Sequence, residues 1–183
     1  MRKIRSLCFA LLLLTPWVLA VPAAHAHSDS EKDKIESAFI YQFTNYIDWP
    51  LIRDQSEGAA PFVISVAGNS PIVAELEDLA KTKTVKGRKI AVHQFTDASR
   101  LTLNSSIIII AVPDEDLLKD VIRRSKGTSA LIVSFSRGFA EKGAMINFFL
   151  DEGRLRFEIN RRAIENQNLR VGSQLLKLAK LIE

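Results

Sequence analysis

Few residues of this 183-residue chain have the type and spacing that chemistry demands. Past residue 26 there are two histidines, His27 and His93, and no cysteine. A zinc site draws on three or four imidazole, thiolate or carboxylate ligands, and one strand histidine does not supply them. A Ser-His-Asp triad has only His93 to use, and no Gly-x-Ser-x-Gly elbow accompanies it. No Gly-x-x-x-x-Gly-Lys loop cradles a phosphate, and no Gly-x-Gly-x-x-Gly turn opens a dinucleotide site. The reading is of a protein that is not an enzyme, with no catalytic residue, no cofactor and no metal.

Two weaker features reduce to helix starts. Gly68-Asn69-Ser70-Pro71 presents backbone amides to an anion, but Ser70 as N-cap and Pro71 in the first turn describe any helix entered this way. Asp114, Glu115 and Asp116 fan out by about 100° per residue on a helix, so they do not converge on one cation. Acid in a first turn complements the helix dipole.

Binding residues are better represented. Phe39, Tyr41, Phe43, Tyr46 and Trp49 fall within eleven residues. Phe39, Phe43 and Tyr46 follow helical spacing and are expected in the core. Tyr41 falls outside that stripe, and Trp49 sits beside Pro50. Both are candidate surface anchors, with packing under a loop the alternative. A second candidate surface lies near the C-terminus, where Arg156, Glu158 and Asn160 alternate along a strand and Asn147 lies on the facing arm. An Arg, a carboxylate and two amides suit recognition of a ligand or a partner's loop, although cross-strand polar pairs are routine on solvated sheets.

The elements that must position these residues are set by periodicity. Residues 29–47 form a helix candidate whose apolar stripe is Ile35, Phe39, Phe43 and Tyr46, widened by Ile40 and Ile47. Pro50 ends it, and residues 53–60 form a polar loop. Strands are expected over 62–67 and 89–95, with a helix running to about Ala80 between them. Residues 106–112 carry no polar side chain inside the run, as in a central strand covered on both faces. Next come a helix opening at Pro113-Asp114 and a buried strand over 130–136. Residues 145–150 and 154–161 flank Asp151-Glu152-Gly153 as a half-exposed hairpin, with Arg156, Glu158 and Asn160 outward. An amphipathic helix over 172–182 closes the chain, with Leu175, Leu178, Ala179 and Ile182 toward the core. The fold expected is α/β: a single compact domain with a largely parallel central sheet, a C-terminal antiparallel hairpin and flanking helices.

The N-terminus is a targeting segment. Arg2, Lys3 and Arg5 precede an apolar run from Leu7 to Ala20, and Ala24-His25-Ala26 supplies small residues at −3 and −1 of a cleavage site. Residues 1–26 are read as a signal peptide and 27–183 as the domain; an uncleaved membrane anchor is the rival. The formal charge of +4 comes mainly from this segment, which holds three basic residues and no acidic ones. Residues 27–183 carry 22 Lys+Arg against 21 Asp+Glu, so charge gives no argument for nucleic acid.

Three blocks carry a resemblance to a known family: Ala38-Phe39-Ile40-Tyr41-Gln42-Phe43 with Trp49-Pro50; Gly138-Phe139-Ala140 through Gly143-Ala144-Met145-Ile146-Asn147-Phe148; and Arg156-Phe157-Glu158-Ile159-Asn160 with Ser173-Gln174-Leu175-Leu176-Lys177-Leu178-Ala179. In this order they resemble the YfiR-like family of secreted bacterial proteins, over roughly Lys34 to the end. The resemblance implies a compact, dimeric, non-catalytic periplasmic regulator. It would bind the periplasmic sensor region of an inner-membrane diguanylate cyclase and hold it off, lowering cyclic di-GMP and biofilm formation. Some members carry redox-tuning disulfides, which this chain lacks the cysteines to form after Ala26. The competing class is a single-lobe periplasmic small-ligand-binding protein acting with a sensor kinase or transporter. A secreted hydrolase is disfavoured by the missing residues.

The expected mature product begins at His27. Cys8 leaves with the leader, so thermal unfolding should be unchanged by reductant. Intact-mass analysis of exported material checks the first point. A melting temperature that falls under reducing conditions would contradict the second.

Overall fold

The computed structural model describes residues 24–50 and 60–182. The basic and apolar parts of the leader and nearly all of the expected loop over 53–60 lie outside the described residues. In chain order the elements are α1 (Ala24–Phe43), β1 (Ile47–Asp48), β2 (Phe62–Ala67), α2 (Ile72–Thr82), β3 (Thr84–Val85) and β4 (Arg88–Phe95). After a 3-10 turn at Ala98–Arg100 come β5 (Ser105–Ile110), α3 (Glu115–Arg124) and β6 (Leu131–Ser134). The chain ends with β7 (Ile146–Asp151), β8 (Arg154–Asn160), α4 (Arg161–Asn166), β9 (Arg170–Val171), α5 (Ser173–Leu178) and β10 (Lys180–Ile182).

Eight strands form one sheet in the order β10-β8-β7-β6-β5-β2-β4-β3, and β1 pairs with β9 in a separate antiparallel ladder. The five strands β7, β6, β5, β2 and β4 run parallel, while β8 returns antiparallel to β7. β5 supplies the centre: Ile107, Ile108, Ile109 and Ile110 are all fully buried, so both of its faces are covered. Each such side chain contributes about 1.5–3 kcal/mol of burial free energy. Helices are set by ordinary end signals. Asp114 Oδ1 accepts from the amides of Asp116 and Leu117 at the start of α3. Pro71 already has helical dihedrals, with Ser70 Oγ accepting from the Ile72 amide. The hairpin turn has positive φ at both Glu152 and Gly153, the geometry that matches strand twist in a two-residue loop.

Two expected elements differ. α1 stops at Phe43, not near Ile47. The Thr44, Asn45 and Tyr46 amides donate to Tyr41, Gln42 and Phe43 carbonyls in a tightened turn, and Ile47 is then extended to pair with Val171. Ile35 and Tyr46, expected in the core, are exposed at 42% and 37%. The expected C-terminal helix is a six-residue helix followed by β10, whose Lys180, Leu181 and Ile182 pair in parallel with Glu158, Ile159 and Asn160. The open edge of β8 wins the last residues. Leu178, expected inward, is 73% exposed.

The close approach of the chain after β2 to the chain after β5 leaves no room for a side chain at Gly68. That residue has φ +98°, and a Cβ built on it would overlap Val112 Cγ1. Gly68→Ala should cost roughly 2–4 kcal/mol through backbone strain and overpacking. Urea unfolding of the two proteins, compared at their midpoints, checks this.

Candidate functional site

The sheet opens between β6 and β7. These strands pair only at Val133–Ile146 and Ser134–Asn147; β6 then ends while β7 continues to Asp151. One face of the β7–β8 hairpin is closed by aromatic packing. Phe43 of α1 stacks on Phe148 at 5.7 Å and meets Phe157 edge-on at 5.2 Å, and Phe135 stacks on Phe148 at 5.4 Å. On the other face lie Asn147, directly opposite Glu158, and Phe149, opposite Arg156.

That second face was expected to be solvated, and it is largely buried. Asn147, Glu158 and Asn160 are 0%, 7% and 8% exposed. Asn147 Nδ2 donates to Glu158 Oε1 at 3.1 Å, and Lys180 Nζ lies 3.3 Å from Glu158 Oε2. Burying a carboxylate requires such partners. β10 extends the sheet beside β8 and places Lys180 next to Glu158 on this face, a partner that the expected helix does not supply. Asn160 is committed locally: its Oδ1 caps α4 through the Ala163 amide, and its Nδ2 donates to the Ala140 carbonyl. Arg156 is exposed and pairs with Asp151 at 2.9 Å.

Four of the six candidate residues, Asn147, Arg156, Glu158 and Asn160, therefore share one face. The other two lie elsewhere. The Tyr41 hydroxyl donates to the Thr84 carbonyl in β3, at the opposite edge of the sheet. Trp49 is fully buried, edge-on to Phe62 at 5.4 Å, with its indole N–H donating to the Ser106 carbonyl. That places it in the core rather than on a surface. The Gly68–Asn69 turn is likewise occupied, since Gln94 Nε2 donates to the Gly68 carbonyl and Asn69 Oδ1. Glu115 is held by Lys142, and Asp116 by Lys119.

Where the sheet opens there is a cleft of about 780 Å³, reached by Asn147, Glu158 and Lys180 and by Lys32 and Glu36 from α1. Glu36 was not among the candidates read from sequence, although it lies on the buried stripe with Phe39, Ile40 and Phe43. A carboxylate at a core position was the available signal. Glu36 is 2% exposed, with Lys32 Nζ 3.4 Å from Oε1. Among the described residues, no group of three or more His, Cys, Asp or Glu is placed to hold a metal ion.

The described residues thus form an α/β sheet whose hairpin end carries a buried polar network and an exposed Arg. A sequence model described as YfiR/HmsC-like matches residues 33–180. The chain belongs to the YfiR/HmsC-like family, one of periplasmic regulators associated with diguanylate cyclase signalling. No curated protein matches the sequence. Among solved structures it is similar to a conserved domain protein from Vibrio cholerae O1 biovar El Tor, at 14% identity and a TM-score of 0.52. The alignment covers 82% of this chain and 60% of that one, and at this identity it speaks to fold alone.

Burial pushes the Glu36 carboxyl above the ordinary glutamate range, partly offset by Lys32. A raised value in the fold means no penalty below the unfolded-state value, about 4.3, where both states are protonated. The penalty grows as pH rises through the folded value. Glu36→Gln should therefore raise the melting temperature at about pH 7.5 and leave it unchanged near pH 4. Thermal melts at the two pH values check this.

Proposed function

We propose that the protein is a non-catalytic periplasmic repressor. On this reading residues 1–26 are removed on export, and residues 27–183 bind the periplasmic sensor region of an inner-membrane diguanylate cyclase and hold it inactive. The observation that carries this reading is the family match across residues 33–180. Repression needs differential affinity, because a partner that binds both states equally shifts neither. Moving a cyclase from mostly active to mostly inactive takes roughly 3–5 kcal/mol of preference. One or two anchors at an interface of ordinary size supply that.

The end of the hairpin suits an anchor. Leu150 is 62% exposed, and the Arg156 side chain is 54% exposed beside Asp151. Glu158, through Asn147 and Lys180, keeps the strand beneath Arg156 in place. Tyr41 and Trp49 are left out of this surface: one is spent on β3 and the other on the core. The homodimer implied by the family belongs to the same proposal. A second reading, a single-lobe ligand-binding protein working with a sensor kinase or transporter, draws support from the cleft of about 780 Å³.

Deleting the gene in its native host should raise intracellular cyclic di-GMP and biofilm mass. Arg156→Ala should do the same more weakly, while the protein remains folded and exported. An exposed ion pair contributes little to stability, so loss of fold is not expected from that change. Cyclic di-GMP measured by mass spectrometry decides it: a level unchanged by deletion in every growth condition would move the ligand-binding reading ahead.

A further inference from the structure

Three buried side-chain polar atoms among the described residues have no hydrogen-bond partner: Glu36 Oε1, Asn147 Oδ1 and Arg88 Nε. The first two belong to residues of the cleft already described. Arg88 stands apart, at the start of β4, in a stretch whose charge is all of one sign. Between Asp78 and Asp97 the sequence holds five basic residues, Lys81, Lys83, Lys86, Arg88 and Lys89, and no acidic one. Residues 27–183 carry a net +1, so with these five set aside the remainder stands at −4. Lys81 is held by Asp78 and Lys86 by Asp48. Lys83, Arg88 and Lys89 have no ion-pair partner among the described residues, and both lysines are exposed.

The same stretch borders an open strand edge. β4 pairs with β2 along Ile90–Phe95, but β3 covers its other side only at Arg88 and Lys89. The reason is local: α2 runs to Thr82, and the Lys83 amide is spent on the Leu79 carbonyl as that helix ends. From Ala91 to Phe95 the outer side of β4 has no strand partner among the described residues. The direction of its backbone groups follows from alternation. The Phe95 carbonyl accepts from the Gly68 amide on the β2 side, so Ala91 and His93 address β2 as well. Val92 and Gln94 therefore turn their N–H and C=O groups to the open side. Such a row is a template for one more strand.

We propose that the outer edge of β4 takes an extended acidic segment of another protein as an added strand, with Lys83, Arg88 and Lys89 receiving its carboxylates. Charge selects this occupant. A second copy of the chain would set the basic edge against itself, like charge to like charge. Lysines on an edge likewise discourage a neutral strand. An anionic membrane would meet the charge and leave the backbone groups unused. The exposed large apolar side chains that could enter lipid, Ile35, Tyr46, Leu103, Leu150, Leu178 and Leu181, all lie outside β3, β4 and their turn. The inference does not rest on the repressor reading. Binding is read on purified protein and repression in cells, so either can fail alone.

Isothermal titration of the purified protein with the peptide acetyl-SEVEVES-amide, at about 50 mM salt, provides the test. The peptide should saturate with Kd at or below about 1 mM. The same peptide N-methylated at three successive central residues keeps its charge and cannot pair as a strand, and it should bind at least about tenfold more weakly. Acetyl-SKVKVKS-amide should not saturate. Lys83→Glu combined with Lys89→Glu should lower affinity for the acidic peptide at least about tenfold. Val92→Pro should do the same, since it removes an outward N–H and leaves the β2 ladder intact; if that variant does not fold, the N-methylated peptide decides. Equal affinity for the plain and N-methylated peptides would reduce the surface to charge alone and overturn the proposal. So would no saturation by about 10 mM, or an unchanged affinity in the double lysine variant. Sedimentation with phosphatidylglycerol vesicles but no saturation by peptide would give the patch to a membrane, and would overturn it too.

Discussion

The hairpin end of the sheet is held by the contact of Phe39 and Phe43 with Phe148 and Phe157. Phe39 lies 6.0 Å and 6.2 Å from the two strand rings, and Phe43 is closer still. Edge-to-face and offset pairs of this kind add about 0.5–1.5 kcal/mol each beyond the area they bury. They also fix a register. Side chains alternate along a strand, so committing Phe148 and Phe157 to α1 commits Asn147, Glu158 and Arg156 to the opposite face. The same helix then carries Glu36 and Lys32 to the cleft. One apolar contact thus sets which face Asn147, Glu158 and Arg156 occupy and where Glu36 and Lys32 approach.

The polar side depends on the last strand. Lys180 reaches Glu158 only because β10 adds to the edge of β8 in parallel. Without it, Glu158 would be a hairpin carboxylate facing water. With it, Glu158 and Asn147 form a buried pair with one acceptor to spare. Buried polar groups of this kind rigidify a site when satisfied and penalise it when not.

Much of this was legible from residue pattern. The unbroken run around Ile107–Ile110 marked a strand covered on both faces, and Asp151-Glu152-Gly153 marked the turn that sets the hairpin. Asp114 read correctly as a helix start. The three failures share a cause, which is tertiary pairing. Residues 180–182 have helical spacing behind them, yet an open strand edge draws them into the sheet. Ile47 fits the α1 stripe, yet Val171, far along the chain, claims it for a short ladder. Trp49 beside a proline looked like a surface anchor, and its indole N–H instead found the Ser106 carbonyl in the core. None of these partners is visible in a local window. Glu36 was different, since a carboxylate on an apolar stripe is a local anomaly.

The aromatic contact joins residues more than a hundred positions apart. A chain that emerges N-terminus first, from a ribosome or a translocation channel, offers α1 long before the hairpin it packs against exists. Closing so long a loop is entropically slow. The hairpin end therefore assembles late, after most of the chain is available. Until then the rings of α1 are exposed apolar surface of the kind that chaperones hold, and the first helix takes its place only when nearly the last strands arrive.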